Sequence, residues 1–127
     1  LPLVAVDDAH FYGGEHCRSY IMAQMESLTQ ASLLQALDTG RFYASQGPEI
    51  YRYSVDDKEI RLECSPVSSI IFYSNLSWVK GRCRMGHGLT QSIYDLRAQQ
   101  GETFVRCQII DETGNSAWTN PISVHPQ

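Results

Sequence analysis

The stretch IRLECS at residues 60–65 alternates apolar and polar side chains one by one. Successive side chains of a β-strand point to opposite faces of a sheet, so a period of two predicts a strand with one buried and one exposed face. The stretch VRCQI at residues 105–109 repeats the pattern, with Val105, Cys107 and Ile109 on the apolar side. Together they predict an antiparallel sheet with a core on one face.

Further strand-like stretches and turn signals surround these two. After Gly47-Pro48 the apolar spacing changes from helical to alternating, and residues 69–74 and 92–97 also have the composition of strands. The predicted turns lie at Asp56-Asp57, Ser65-Pro66, Gly86 to Gly88, Gln100-Gly101 and Thr113 to Asn115. Six or seven short strands with this spacing predict an antiparallel, immunoglobulin-like β sandwich of about 80 residues.

The N-terminal part contains two further strand-like stretches. The first, from Leu3 to Val6, is apolar and stops at Asp7-Asp8, which is typical of a buried strand whose C-terminal end reaches a polar site. The second, from Tyr20 to Met25, is apolar except for Gln24 and predicts a strand that is buried on most sides. A glycine pair marks the loop between them.

One helix is predicted from about residue 28 to residue 39. Ser27 can cap its N-terminus, and Gln30, three residues later, completes a capping box. Gly40 stands where a left-handed residue ends a helix. The apolar residues at helical spacing predict one buried stripe and are Ala31, Leu33, Leu34 and Leu37.

The 127 residues therefore divide into an α/β segment at residues 1–48 and a β domain at residues 49–127, together an α+β chain. No stretch approaches the ~20 apolar residues that a membrane helix needs, so we expect no membrane partner. The net charge of −4 argues against nucleic acid as a partner. The one basic cluster, Lys80, Arg82 and Arg84, is assigned to a solvated loop.

Asp8-Ala9-His10 is the candidate metal-binding motif. In a strand-like backbone, residues i and i+2 point to the same side, so the Asp8 carboxylate and the His10 imidazole could face one cation. Both groups suit zinc, manganese or iron. Metal sites normally need three or more protein ligands, so the pair supplies only part of one. The alternative is a strand-end Asp that caps a loop beside a surface His.

Three motifs occur in order along the chain. Asp8 and His10 form the first. The second, a helix and the segment after it, comprises Leu33, Ala36, Leu37, residues 40–45, Gly47 and Pro48. The third comprises Asp111, Gly114 and residues 117–122. In this order they resemble the closing segment and accessory β domain of one bacterial branch of the PHP (polymerase and histidinol phosphatase) family, the metal-dependent phosphoesterases.

The resemblance implies a parent protein with a distorted β/α barrel, in which divalent metal ions activate water for phosphoester hydrolysis. Residues 1–48 would be the C-terminal end of that barrel and residues 49–127 its accessory β sandwich. The early H-x-H motif of the family is absent here, so we expect this chain to be an inactive fragment. Since it starts at Leu1 rather than at a methionine, we expect the barrel upstream to be missing. The apolar surface left exposed would pack on that barrel or cause self-association.

Two more residues are candidates for substrate binding. His16 lies close to the metal motif and could contact substrate, and the alternative is a loop His without such a role. Arg41 follows the helix, and its guanidinium could clamp a phosphate through two hydrogen bonds. The alternative for Arg41 is a surface residue between a helix and a strand.

The cysteines leave a second interpretation open. Four cysteines without a CxxC pair favour reduced thiols and a cytoplasmic protein. However, Cys64, Trp78 and Cys107 have the order of an immunoglobulin-type core, in which a Trp packs on a disulfide between two sheets. Val105 stands where that core has a Tyr. Under this interpretation the chain is a non-catalytic binding module at the cell surface, and the sequence leaves open whether Cys64 and Cys107 are bonded.

Overall fold

The computed structural model describes residues 2–7, 17–77, 79–97 and 101–124. These residues form one α-helix and eight β-strands. In chain order the elements are β1 (Tyr20–Ala23), α1 (Gln30–Thr39), β2 (Phe42–Ser45), β3 (Ile50–Val55), β4 (Glu59–Ser74), β5 (Cys83–Asp95), β6 (Phe104–Ile110), β7 (Ser116–Thr119) and β8 (Ile122–Ser123). Among the described residues, no helix is long and apolar enough to cross a membrane.

The strands form one antiparallel sheet in the order β1-β2-β7-β6-β4-β3. Strand β5 pairs with β4, and β8 pairs with β6. Strand β2 precedes residue 48 and pairs with β7, so strands from the 1–48 and 49–127 segments share this sheet. The predicted α+β class, with an antiparallel, sandwich-like β structure, is confirmed.

The 16-residue strand β4 curls the sheet. Its first part pairs with β3 and its second part with β6, while β5 runs along its other edge. The register shifts between Glu63 and Val67, so a bulge lies at Ser65-Pro66 instead of the predicted turn. Proline cannot donate a ladder hydrogen bond, which is why it interrupts the register here. The bend folds β3 over the concave face, where the Tyr53 hydroxyl donates to the Val105 carbonyl at 2.9 Å.

The turn predicted at Gly86 to Gly88 is also a bulge. These residues lie inside β5, where Leu89 pairs with Val67 but Met85 pairs with Ser69. Four steps along β5 therefore match two steps along β4, and Gly88 takes a positive φ of 60° in the bulge. Glycine supplies this conformation without a steric penalty. The predicted turn at Thr113 to Asn115 is confirmed.

The alternating residues of β4 and β6 build the core as predicted. Ile60, Leu62 and Cys64 are buried, and so are the inward residues of β6, Val105, Cys107 and Ile109. Phe72 stacks on Tyr94 with ring centroids 4.9 Å apart. Burial of each large apolar side chain contributes about 1.5–3 kcal/mol to the hydrophobic stabilisation.

The helix begins later than predicted and buries a different side chain. Its N-cap is Thr29, whose hydroxyl accepts from the Ser32 amide at 3.1 Å, so the prediction of Ser27 as the cap is wrong. Gly40 ends the helix with a φ of 74°, as expected. Ala36 is the buried residue of α1, whereas Leu34 is 56% exposed. The helix lies at the β1 edge of the sheet, so most of its predicted apolar stripe faces away from the described core.

The segment before the metal motif also differs from its prediction. Residues 2–7 are described but form no strand, and the side chains of Val4 and Val6 are 59% and 74% exposed. No sheet edge among the described residues pairs with this segment, so alternate side chains remain in solvent. Bonds to side chains hold it in place of a ladder: the Leu3 amide donates to the Asn120 side chain, and the Asp7 carboxylate accepts from the Arg18 amide.

Candidate functional site

The predicted metal ligands Asp8 and His10, and the candidate His16, lie outside the described residues. The residue before them, Asp7, is described: its Oδ1 accepts from the Arg18 amide at 2.7 Å and from the Ser19 amide. These two bonds tie the end of the 2–7 segment to the start of β1. Asp7 is therefore held in place directly before the metal motif in sequence.

Asn120 joins the N-terminal segment to the helix end. Its Oδ1 accepts from the Leu3 amide at 3.1 Å. Its Nδ2 donates to the Gly40 carbonyl at 3.1 Å and to the Phe42 carbonyl at 3.0 Å. The second and third sequence motifs therefore meet at one amide, because Gly40 and Phe42 belong to the second motif and Asn120 belongs to the third. The same amide also holds Leu3, in the segment that precedes Asp8.

Arg41 lies at the start of β2, where its carbonyl accepts from the Gln24 amide at 2.8 Å. Its side chain is exposed and lines a groove of about 700 Å³ between β1, β2, β3 and the β7–β8 connection. We call this the Arg41 groove. Its lining side chains include Met22, Arg41, Tyr43, Glu49, Tyr51, Arg52 and Tyr53.

The charges in the Arg41 groove are two arginines and one glutamate. The Tyr51 hydroxyl donates to the Glu49 carboxylate, and this bond raises the pKa of Tyr51. Arg52 donates from Nε to the Ser54 hydroxyl at 3.1 Å. Within the described part of the chain, no hydrogen bond or ion pair involves the Arg41 guanidinium. The groove is therefore locally cationic in a chain whose net charge is −4.

Two tyrosines form the floor of the groove. Burial raises the pKa of Tyr53, whose hydroxyl bonds to the Val105 carbonyl and contacts Thr119. Burial likewise raises the pKa of Tyr43, whose hydroxyl also bonds to the Ile50 backbone. The bond to Val105 fixes the Tyr53 ring, so this part of the floor is formed before any ligand arrives.

Arg41 and Asp7 lie at opposite ends of β1. Asp7 is bonded to Ser19, which precedes β1, and Arg41 is bonded to Gln24, which follows it. Five residues of extended chain span about 16 Å. An Arg side chain reaches less than half of that distance, so the structure does not bring Arg41 up to Asp7. Arg41 instead serves the groove at the far end of the strand.

A polar cluster in the core was missed by the sequence reasoning. The Tyr94 hydroxyl donates to the Glu102 carboxylate at 2.7 Å, although these residues are only 2% and 4% exposed. Arg82 lies nearby and donates from Nη2 to the Leu76 carbonyl at 2.8 Å and to the Ser74 hydroxyl. Arg82 lies in the loop between β4 and β5, as predicted, but its side chain is half-buried and not fully solvated. The signal was weak, because a single Glu after a Gly-containing turn reads as a surface residue.

The four cysteines are free, and Cys64 and Cys107 are buried in one core. Burial raises the pKa of Cys64 to about 11 and raises that of Cys107 further. Their strands, β4 and β6, are direct neighbours in one sheet, whereas the immunoglobulin disulfide joins two sheets. Trp78, the third member of that pattern, lies outside the described residues.

Among the described residues, no group of three or more His, Cys, Asp or Glu side chains could hold a metal ion. A carboxylate and an imidazole, as in Asp8 and His10, are ligands that zinc, manganese and iron accept, so the donor chemistry of the motif fits these metals. No protein-family model, curated protein or solved structure matches the chain. Its residues and their contacts alone therefore carry a functional proposal.

Proposed function

We propose that this chain is the C-terminal part of a bacterial PHP-type, metal-dependent phosphoesterase and has no hydrolytic activity by itself. Its contribution to the parent is the Asp8/His10 ligand pair and an accessory β domain. The Asn120 amide is the observation that supports this most directly. It bonds Gly40 and Phe42, so the second and third motifs, 80 and 78 residues apart in sequence at these bonds, are held together. It also bonds Leu3, in the segment that precedes Asp8.

In the parent, the missing N-terminal barrel is the partner that would complete the metal site. Divalent metal ions, when bound, lower the pKa of water and neutralise charge on a phosphoryl group. Asp8 and His10 would hold the metal through a carboxylate oxygen and a ring nitrogen. Asp7 would position them, because its carboxylate anchors the backbone directly before the motif to Arg18 and Ser19. His16 would contact substrate near the metal.

Exposed apolar side chains give the missing barrel a surface to pack on. Five large ones lie on or around the N-terminal segment and α1: Val4, Val6, Leu28, Leu33 and Leu34. Exposed apolar surface of this kind marks an interaction site. In the parent we propose that this surface covers part of the barrel. In the separate chain it would cause self-association, and sedimentation at increasing concentration would measure it.

The test is metal analysis and phosphatase assay of the full-length parent. A double Asp8→Ala, His10→Ala variant is compared with a matched control, Asp38→Ala with His87→Ala, two exposed residues outside the motif. The proposal predicts loss of bound metal and of activity in the first variant and in it alone. Metal content and activity that survive the Asp8 and His10 changes would show that the ligand assignment is wrong.

A second experiment tests the role of Asn120. Asn120→Ala removes the bonds to Leu3, Gly40 and Phe42, each of which contributes about 0.5–1.5 kcal/mol. We expect lower metal affinity in the parent, because the segment that leads to Asp8 loses its anchor. Asn115→Ala, at an exposed turn, is the control. Equal metal affinity in both variants would contradict the positioning role.

The alternative function is a non-catalytic binding module at the cell surface. The preformed Arg41 groove favours binding, since small-molecule sites are concave and combine aromatic walls with a few charged groups. Thiol titration distinguishes a cytoplasmic protein from a cell-surface module. Four reactive thiols in the denatured, unreduced protein agree with the proposed cytoplasmic location. Two thiols, with Cys64 and Cys107 joined, would favour the surface module.

A further inference from the structure

We propose that the Arg41 groove binds a small ligand in which an anionic head group, phosphate or carboxylate, is attached to a flat ring. Arg41, which lines this groove, lies at the opposite end of β1 from Asp7, and the argument for the groove uses only its own lining residues. The proposal therefore does not rest on phosphoesterase activity, and it holds for this chain whether or not the parent is a hydrolase.

The size of the groove suits such a ligand. Its volume of about 700 Å³ lies within the range of roughly 300–1,000 Å³ that is typical of small-molecule sites. The Tyr53 part of the floor is held in place, because the Tyr53 hydroxyl is bonded to the Val105 carbonyl at 2.9 Å. A preformed floor loses little conformational entropy when a ligand binds.

The aromatic wall supplies the contact for a flat ring. Tyr51 is 65% exposed at the mouth of the groove, and Met22, across from it on β1, is 47% exposed. A ring that inserts between them would remove apolar surface from water on both faces.

The cationic wall supplies the contact for the anion. The one carboxylate of the groove, Glu49, already accepts from Tyr51, whereas the Arg41 guanidinium has no partner in the described part of the chain. Arg52 uses only its Nε, toward Ser54, within the same described part. A guanidinium presents its donors as a planar fork that matches two oxygens of a phosphate or carboxylate. The groove therefore selects an anion over a neutral group.

The experiment titrates the 127-residue chain with three probes that share one ring, 1-naphthyl phosphate, 1-naphthoate and 1-naphthol, and follows binding by NMR. We expect the better anion to bind at least about tenfold more tightly than naphthol, because only the anions engage Arg41. Arg41→Gln should weaken anion binding by about tenfold and leave naphthol unchanged. Lys80→Gln makes the same charge change at an exposed site outside the groove and should change affinity less than about twofold.

The ring contact has its own variant. Tyr51→Ala removes an exposed side chain, so the fold should persist, and far-ultraviolet circular dichroism checks this. We expect weaker binding of both naphthyl anions and no change for inorganic phosphate. The relative affinities of naphthyl phosphate and naphthoate identify the head group. The proposal is overturned if neither anion saturates the chain by about 10 mM, if Lys80→Gln weakens binding as much as Arg41→Gln, or if inorganic phosphate binds as tightly as naphthyl phosphate.

Discussion

Replacement of Tyr94 by Phe removes one hydroxyl from the core and keeps the ring that stacks on Phe72. The lost bond is the 2.7 Å contact with the Glu102 carboxylate, which is buried with Tyr94 under the β4–β5 hairpin. A buried carboxylate that loses a donor is far costlier than an exposed one, because water cannot replace the hydroxyl. Tyr94→Phe therefore tests whether the Tyr94 hydroxyl stabilises the buried Glu102 carboxylate in the core.

The expected loss of unfolding free energy is about 1.5–3 kcal/mol, the range for a hydrogen bond to a charged group. For a chain of this length, each kcal/mol lowers the melting temperature by about 4 °C, so we expect a decrease of roughly 6–12 °C. Urea unfolding followed by circular dichroism should show a lower midpoint with an unchanged slope, since the surface exposed on unfolding is the same.

Tyr73→Phe is the matched control. Its hydroxyl donates to the neutral Gln108 side chain at 3.1 Å in a half-buried position. Loss of a neutral bond costs only about 0.5–1.5 kcal/mol. Glu102→Gln keeps an acceptor for Tyr94 but removes the charge, so a double-mutant cycle with Tyr94→Phe should give a coupling energy above about 1 kcal/mol. The reasoning fails if Tyr94→Phe and Tyr73→Phe destabilise the protein equally, or if the cycle shows no coupling.

Two further predictions concern alkaline pH and the helix cap. The folded state raises the pKa of Tyr53 and Tyr94, and that of Cys64 to about 11, so these groups hold protons that the unfolded chain releases above its ordinary values of 9.0 and 10.0. Their contribution to stability is complete below about pH 9 and is lost as pH rises toward 11. Each group lowers the unfolding free energy by up to about 1.4 kcal/mol per pH unit in this range. Unfolding midpoints that do not fall between pH 9 and 11 would contradict this. Thr29→Ala should destabilise the helix by about 1 kcal/mol, because it removes the acceptor of the Ser32 amide. Ser27→Ala should lower the unfolding free energy clearly less. If thermal unfolding shows a larger loss for Ser27→Ala than for Thr29→Ala, Ser27 is the N-cap, as the sequence predicted.

The core strands were predictable from the sequence because their pattern is local. Alternation in residues 60–65 and 105–109 requires one face of each strand to be apolar, and the structure buries that face. The signal that ends the helix at Gly40 is local too, because the left-handed conformation at a helix C-terminus favours glycine. The class of fold follows from this spacing of apolar residues, whichever strands pair with one another.

The errors arose where a local signal has two structural meanings. Ser65-Pro66 and Gly86 to Gly88 carry the composition of turns, yet both form bulges, because β4 and β5 continue past them as paired strands. Glycine and proline break a ladder in either case, and only the pairing on each side decides between a turn and a bulge. The apolar run at Leu3 to Val6 failed for a related reason: burial needs a neighbour, and no strand pairs with it in the described part of the chain.

The candidate sites divide in the same way. The sequence alone identified Asp8, His10 and Arg41 as candidates for metal or anion binding, because the donor atoms are properties of the side chains. Tertiary structure alone decided that Asn120 bonds Leu3 and Gly40, that Arg41 lies a strand length from Asp7, and that tyrosines wall its groove. These facts depend on how β4 bends and where β3 then lies, and contacts between residues so distant in sequence leave no periodic trace along the chain.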